Sequence, residues 1–257
     1  MSPIRQAMIR RAGLGNHNME NLGRLGRFLF AIAMAGFSIQ YLVYAWLAGP
    51  APGPPWTPGL ALWAYATAVV LLTAALFIGT GKKAGWAAML LAILLLLRFS
   101  LVYAPRLAAH PHDPGPWTSG FEILAMGAAA LVLAGTVVGL GRFLFAISLV
   151  VFGLQHFIYA RFVATLVPSW IPRHLFWAYF LGVALVAAAV SIATRKYAGL
   201  AATLLGLMFF SWVFLVHLPR VVAAPHDGKE WTSILVALAM AGGAWALAGR
   251  AAWATRS

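Results

Sequence analysis

The 257-residue chain has no cysteine and only five acidic residues. Without thiols it can hold no disulfide, thiolate metal site, iron–sulfur cluster or dithiol redox pair, so any redox role requires a bound cofactor. Charged residues make up 9% of the sequence, too few to clothe a soluble surface of this size. Neither a complete nucleophile–base set, nor a phosphate-binding loop, nor a metal cluster of recognisable spacing is found, which argues against an autonomous enzyme. A secretory signal is missing too. The first 22 residues are polar and basic, with Arg5, Arg10 and Arg11, and contain no apolar core ahead of a small-residue cleavage site. The first apolar run is expected to act as an uncleaved insertion signal.

What the chain does contain is apolar: 63% of residues are hydrophobic and the mean hydropathy is +0.87. A bilayer core of roughly 30 Å takes about 20 apolar residues per spanning helix. Eight charge-poor runs meet that need, at residues 28–49, 59–80, 84–104, 123–141, 143–160, 175–194, 197–219 and 231–249. The expected fold is therefore an all-α polytopic membrane protein with eight transmembrane helices. Only the third run carries a charge well inside it, Arg98.

Sliding the sequence against itself by 115 and then 114 residues exposes an internal repeat. Gly26-Arg27-Phe28-Leu29-Phe30-Ala31-Ile32 recurs as Gly141-Arg142-Phe143-Leu144-Phe145-Ala146-Ile147, and Gln40 recurs as Gln155. Pro111-His112-Asp113 with Trp117-Thr118-Ser119 recurs as Pro225-His226-Asp227 with Trp231-Thr232-Ser233. The chain divides into a basic segment (1–22), a first four-helix repeat (23–138), a second (139–250) and a short tail (251–257). Four is an even number, so the repeats are expected to enter the membrane in the same sense and to lie parallel about an axis near its normal. The link near Val138 to Gly141 is too short for a flexible tether.

Orientation follows from lysine and arginine in the short loops. Twelve positives, among them Arg24, Arg27, Lys82, Lys83, Arg142, Arg195, Lys196 and Arg250, fall on one side. Five, Arg106, Arg161, Arg173, Arg220 and Lys229, fall on the other. The richer side is assigned to the cytoplasm, which puts both termini of this inner-membrane chain inside. The formal charge of +13 is thus a matter of topology, and no nucleic-acid partner is expected.

Two loop motifs repeat on the outer side. Pro54-Pro55-Trp56-Thr57-Pro58 and Pro168-Ser169-Trp170-Ile171-Pro172 read either as helix starts with an interfacial tryptophan anchor or as ligand lids. In the second motif, Arg106 with His112-Asp113 recurs as Arg220 with His226-Asp227. Thr118, Ser119, Thr232 and Ser233 are expected to cap the helices that follow, beside the acids. A histidine next to a carboxylate also suits proton transfer or metal binding, so both roles stay open, with no metal cluster assigned.

Polar groups inside the bilayer need an interior reason, which singles out Gln40, Arg98, Gln155, His156 and His217. Glu122 is the expected partner of Arg98. Several of these positions break the repeat: Tyr41 aligns with His156, Arg98 with Trp212, Tyr103 with His217 and Glu122 with Val236. The two histidines read as neutral rings bonded within the bundle, as quinone ligands together with Gln155, or, less readily, as a bis-histidine haem pair. Phe143, Phe152, Phe157, Trp177 and Tyr179 are candidate walls of a quinone slot.

The Gly-Arg-Phe-Leu-Phe-Ala helix start, the Gln155-His156 pair, and Val167-Pro168-Ser169-Trp170-Ile171-Pro172 leading into Phe176-Trp177-Ala178-Tyr179-Phe180-Leu181-Gly182 together resemble the DoxX family of four-helix bacterial membrane proteins. The likeness covers about residues 141–249 well and 26–135 more loosely, as a fused pair of such units. It implies a link to quinone or redox metabolism, since relatives include a small membrane subunit of thiosulfate:quinone oxidoreductase and partners of oxidative-stress enzymes. It carries no catalytic residue onto this sequence. Three readings result: a membrane subunit of a redox module holding a quinone near Gln155, His156 and Arg98, with an extracytoplasmic or membrane redox partner; a transporter of small solutes or anions; and an assembly scaffold.

Overall fold

A computed structural model describes residues 3–48 and 60–254, with side chains from 17–43 and 62–251. The Pro54 to Pro58 motif and the side chains of Arg5, Arg10, Arg11 and Arg256 lie outside the described residues. The elements are α1 (Pro3–Ala48), α2 (Leu60–Thr80), α3 (Ala84–Ala109), α4 (Pro114–Ala134), α5 (Val138–Ile158), the short α6 (Ala160–Leu166), α7 (His174–Thr194), α8 (Ala198–Ala223) and α9 (Gly228–Ala254). No strand occurs among the described residues. All but α6 contain a stretch long and apolar enough to cross a membrane. Helices satisfy their own backbone groups, as hydrocarbon demands, and the chain is an all-helical, multi-pass membrane protein.

Several boundaries differ from the apolar runs. Helix α4 begins at Pro114, nine residues before the run it was read from, because Asp113 caps it and prolines at 114 and 116 suit a first turn that has no use for their missing N–H. Its polar residues Thr118, Ser119 and Glu122 hid that extension. The connection to α5 is correspondingly earlier, at 135–137, where Gly135 takes a left-handed φ of 85° and ends α4. Helix α1 runs on through the polar segment read as non-membrane.

Helices α3 and α8 each contain one widened turn, at Phe99–Tyr103 and Val213–His217. The N–H of Ala104 reaches Phe99 O and that of Leu218 reaches Val213 O, five residues back. Pro105 and Pro219 follow directly. A proline has no N–H to give and its ring presses on the carbonyl four residues back, and widening the preceding turn relieves both problems.

The helices close a ring. Going round, α1 packs on α2, α2 on α3, α3 on α4, α4 on α5, α5 on α7, α7 on α8, α8 on α9 and α9 back on α1, while α4 and α9 also meet across the middle. The first helix of each repeat therefore packs on the fourth helix of the other. The apolar windows of α4 and α9 are 61% and 72% buried, against 22–33% for the other six, so these two form the central partition. Outward residues such as Ile39, Val69, Leu90, Phe143, Val183 and Leu204 are exposed and form the lipid-facing belt.

Inside a bilayer, helices associate through close packing of small residues. The closest approach of backbone to backbone is between α1 and α9, where a Cβ on Gly242 would lie 2.6 Å from both Gly26 O and Phe30 N. Only glycine fits there.

Candidate functional site

Two cavities flank the central partition. The narrower, about 300 Å³, lies between α1, α2, α3, α4 and α9 and is lined by Gln40, Tyr41, Arg98, Tyr103, Glu122 and apolar neighbours. The wider, about 390 Å³, lies between α4, α5, α6, α7, α8 and α9. Its walls include Phe152, Gln155, His156, Phe209, Trp212 and His217. The candidates read as one site are therefore split: Arg98 and Gln40 belong to one cavity, and Gln155, His156 and His217 to the other.

The widened turns explain how α3 and α8 each present two side chains to a cavity. At about 100° per residue, positions five apart on an ordinary helix diverge by about 140°. A turn closed by a five-residue hydrogen bond returns them to one side. Arg98 and Tyr103 consequently line the narrower cavity, and Trp212 and His217 the wider.

Arg98 does not pair with Glu122. It donates from Nη1 to the Tyr41 hydroxyl and lies over the same ring, 5.7 Å from its centroid. Its Nε is buried without a partner. At the equivalent positions in the wider cavity, His156 stacks on Trp212 with centroids 6.4 Å apart and planes 21° from parallel. The contact is kept, but its chemistry has changed from a cation and a phenol to two neutral-capable rings.

His156 has a defined tautomer. Its Nδ1 lies 2.8 Å from Phe152 O, and a carbonyl only accepts, so Nδ1 carries the hydrogen. Nε2 has no partner among the described residues and in the neutral ring keeps its lone pair. His217 Nδ1 is buried without a partner.

The two glutamines serve as clasps between the repeats. Gln40 donates from Nε2 to Thr232 Oγ1 and to Gly228 O, each at 2.7 Å. Gln155 donates likewise to Thr118 Oγ1 at 3.0 Å and Pro114 O at 3.4 Å. Each ties helix one of its repeat to helix four of the other. Of the aromatics read as quinone walls, Phe152 lines the wider cavity. Phe143, Phe157 and Tyr179 are exposed, the last two stacked on each other, and Trp177 donates its indole N–H to Pro172 O. Phe162 and Phe209, which the sequence did not single out, complete the wall. The signal for Phe209 was its spacing of three from Trp212, one turn back on the same face.

In the outer loops, Asp113 Oδ1 accepts from Gly115 N–H at 2.9 Å and Asp227 Oδ1 from Lys229 N–H at 2.8 Å. The aspartates are the caps, whereas the hydroxyls expected to cap instead bond within their helices: Thr118 donates to Pro114 O and Thr232 to Gly228 O. The tryptophans Trp117 and Trp231 donate to Pro111 O and Pro225 O and close each loop. His112 and His226 are exposed. Arg220 pairs with Glu230 at 2.9 Å, but Arg106, whose repeat has Pro116 in place of that acid, makes no ion pair among the described residues. No hydrogen bond or ion pair joins the two loops, and no group of three metal-ligating side chains forms among the described residues.

A family model described as "Domain of unknown function (DUF8561)" matches residues 145–248, within the second repeat. No curated protein and no solved structure matches the chain.

Proposed function

We propose that this protein is a DoxX-like subunit of a redox module in a bacterial inner membrane, holding a quinone in the wider cavity. On this reading both termini are cytoplasmic and the repeats run parallel, a view supported by the reciprocal glutamine clasps. An extracytoplasmic or membrane redox partner docks on the outer loops. The observation that carries the proposal is His156. Its Nδ1–H is committed to Phe152 O, which leaves Nε2 as a hydrogen-bond acceptor in a cavity walled by Phe152, Phe162, Phe209 and Trp212. A flat apolar ring bearing a hydroxyl, the reduced form of a quinone, matches those two features at once. Gln155 contributes by fixing α5 against α4 rather than by contacting the ring.

The test is mass spectrometry of an organic extract of the detergent-purified protein, compared with His156→Ala. Near-stoichiometric quinone that disappears in the variant supports the proposal. Quinone or haem no richer than in an unrelated membrane protein overturns it. The second reading, an anion transporter, is favoured by one observation, the guanidinium of Arg98 lining the narrower cavity with its Nε unpaired. Anion-dependent flux in proteoliposomes that is lost in Arg98→Gln tests it.

A further inference from the structure

Glu122 stands apart from Asp113, Asp227 and Glu230. Asp113 and Asp227 cap helices, and Glu230 pairs with Arg220. Glu122 lies inside a span and makes no hydrogen bond or ion pair among the described residues. It lines both cavities, and so does Val236, its counterpart in the second repeat. The two residues occupy equivalent positions on α4 and α9, the helices that meet across the middle. The partition between the cavities thus presents a carboxyl from α4 and a valine from α9 to both of them. A carboxyl in hydrocarbon is costly and, in membrane proteins, commonly marks a proton path.

We propose that Glu122 is a proton-carrying site shared by the two cavities, so that the contents of one set the protonation state met by the other. The proposal rests on the reading of the wider cavity as a ligand site. The groups facing the two cavities with Glu122 are Tyr41 on α1, Arg98 and Tyr103 on α3, His156 and Tyr159 at the end of α5, and His217 on α8. Helices α2, α7 and α9 present nothing titratable to either cavity. A proton released by a ligand hydroxyl passes to Nε2 of His156 and from that imidazolium to a Glu122 carboxylate. One O–H bond breaks, an N–H bond forms and breaks, and a new O–H bond forms, with no electron moved. On the far side Arg98 supplies the positive charge that steadies the carboxylate before it takes the proton. The first repeat supplies the charge and the second supplies the base, which accounts for why these positions differ between the halves.

The test is an infrared pH titration of the intact protein in detergent, with no ligand added, following the carbonyl stretch of a protonated carboxyl. The expected result is a titrating band that Glu122→Gln removes. Its midpoint is expected to move by about one pH unit in Arg98→Gln, where a neighbouring charge is lost, and in His156→Gln, where the imidazole that exchanges a proton with it is lost. Tyr41→Phe keeps the ring but removes the hydroxyl that holds the Arg98 guanidinium, and so tests the narrower-cavity arm should Arg98→Gln fail to fold. A band untouched by Glu122→Gln, or one that responds to variants in only one cavity, overturns the proposal. Because no quinone is involved, this result is independent of whether quinone co-purifies.

Discussion

The two cavities are built from the same four positions and lined with different chemistry. Tyr41, Arg98, Tyr103 and Glu122 face the narrower one, and their counterparts His156, Trp212, His217 and Val236 face the wider, with Glu122 and Val236 reaching both. The contacts that hold the helices together are by contrast made twice. Each repeat has a glutamine clasp, an aspartate cap, a tryptophan bonded to a loop carbonyl and a proline-induced wide turn. Duplication kept the frame and released the lining to change, so the chemistry of this protein is to be sought where the halves disagree.

That contrast can be broken deliberately. The largest effect is expected at Gly242, where any side chain meets the backbone of α1. Gly242→Leu should abolish a monodisperse, folded species in size-exclusion chromatography, since overpacking against backbone has no rotamer to escape into. Its counterpart, Ala128, already carries a Cβ, and Ala128→Gly should leave the elution profile unchanged. If Gly242→Leu folds normally, the α1–α9 contact is not the seam that closes the ring.

Next come the caps, where the halves should respond alike. Asp113→Ala and Asp227→Ala should each cost about 1 kcal/mol, read as equal falls in thermal midpoint in detergent. Unequal falls would show that one loop does more than start a helix. The smallest expected effect separates the outer arginines. Arg220→Gln should cost under about 1 kcal/mol and the loss should fade in high salt, because the Arg220 side chain is 42% exposed beside Glu230. Arg106→Gln, with no ion pair to lose, should cost nothing measurable.

Much of this frame was legible in the sequence. The eight apolar runs, the repeat offset and the four divergent positions are local patterns, and each run overlaps one of the eight helices long and apolar enough to cross a membrane. Three things were not legible. The start of α4 was hidden because Thr118, Ser119 and Glu122 make its first turns look like loop. The widened turns depend on how Pro105 and Pro219 are accommodated, and a proline at that place reads equally as a kink or a break. The division into two cavities depends on α9 returning to α1, a contact between residues more than 200 positions apart that no period reveals. For that reason Arg98 and His156 looked like members of one site, and Arg98 was given Glu122 as a partner in place of Tyr41.

The central proposal is that His156 makes the wider cavity, and not the narrower one, a quinone site. The most direct measurement exchanges the two halves at that position: quinone content of the purified protein is compared among wild type, His156→Tyr and Tyr41→His. The account predicts near-stoichiometric quinone in wild type, a fall of at least about tenfold in His156→Tyr, the worth of one unmade hydrogen bond, and no loss in Tyr41→His. Quinone that stays with His156→Tyr, or none above background in wild type, would contradict it.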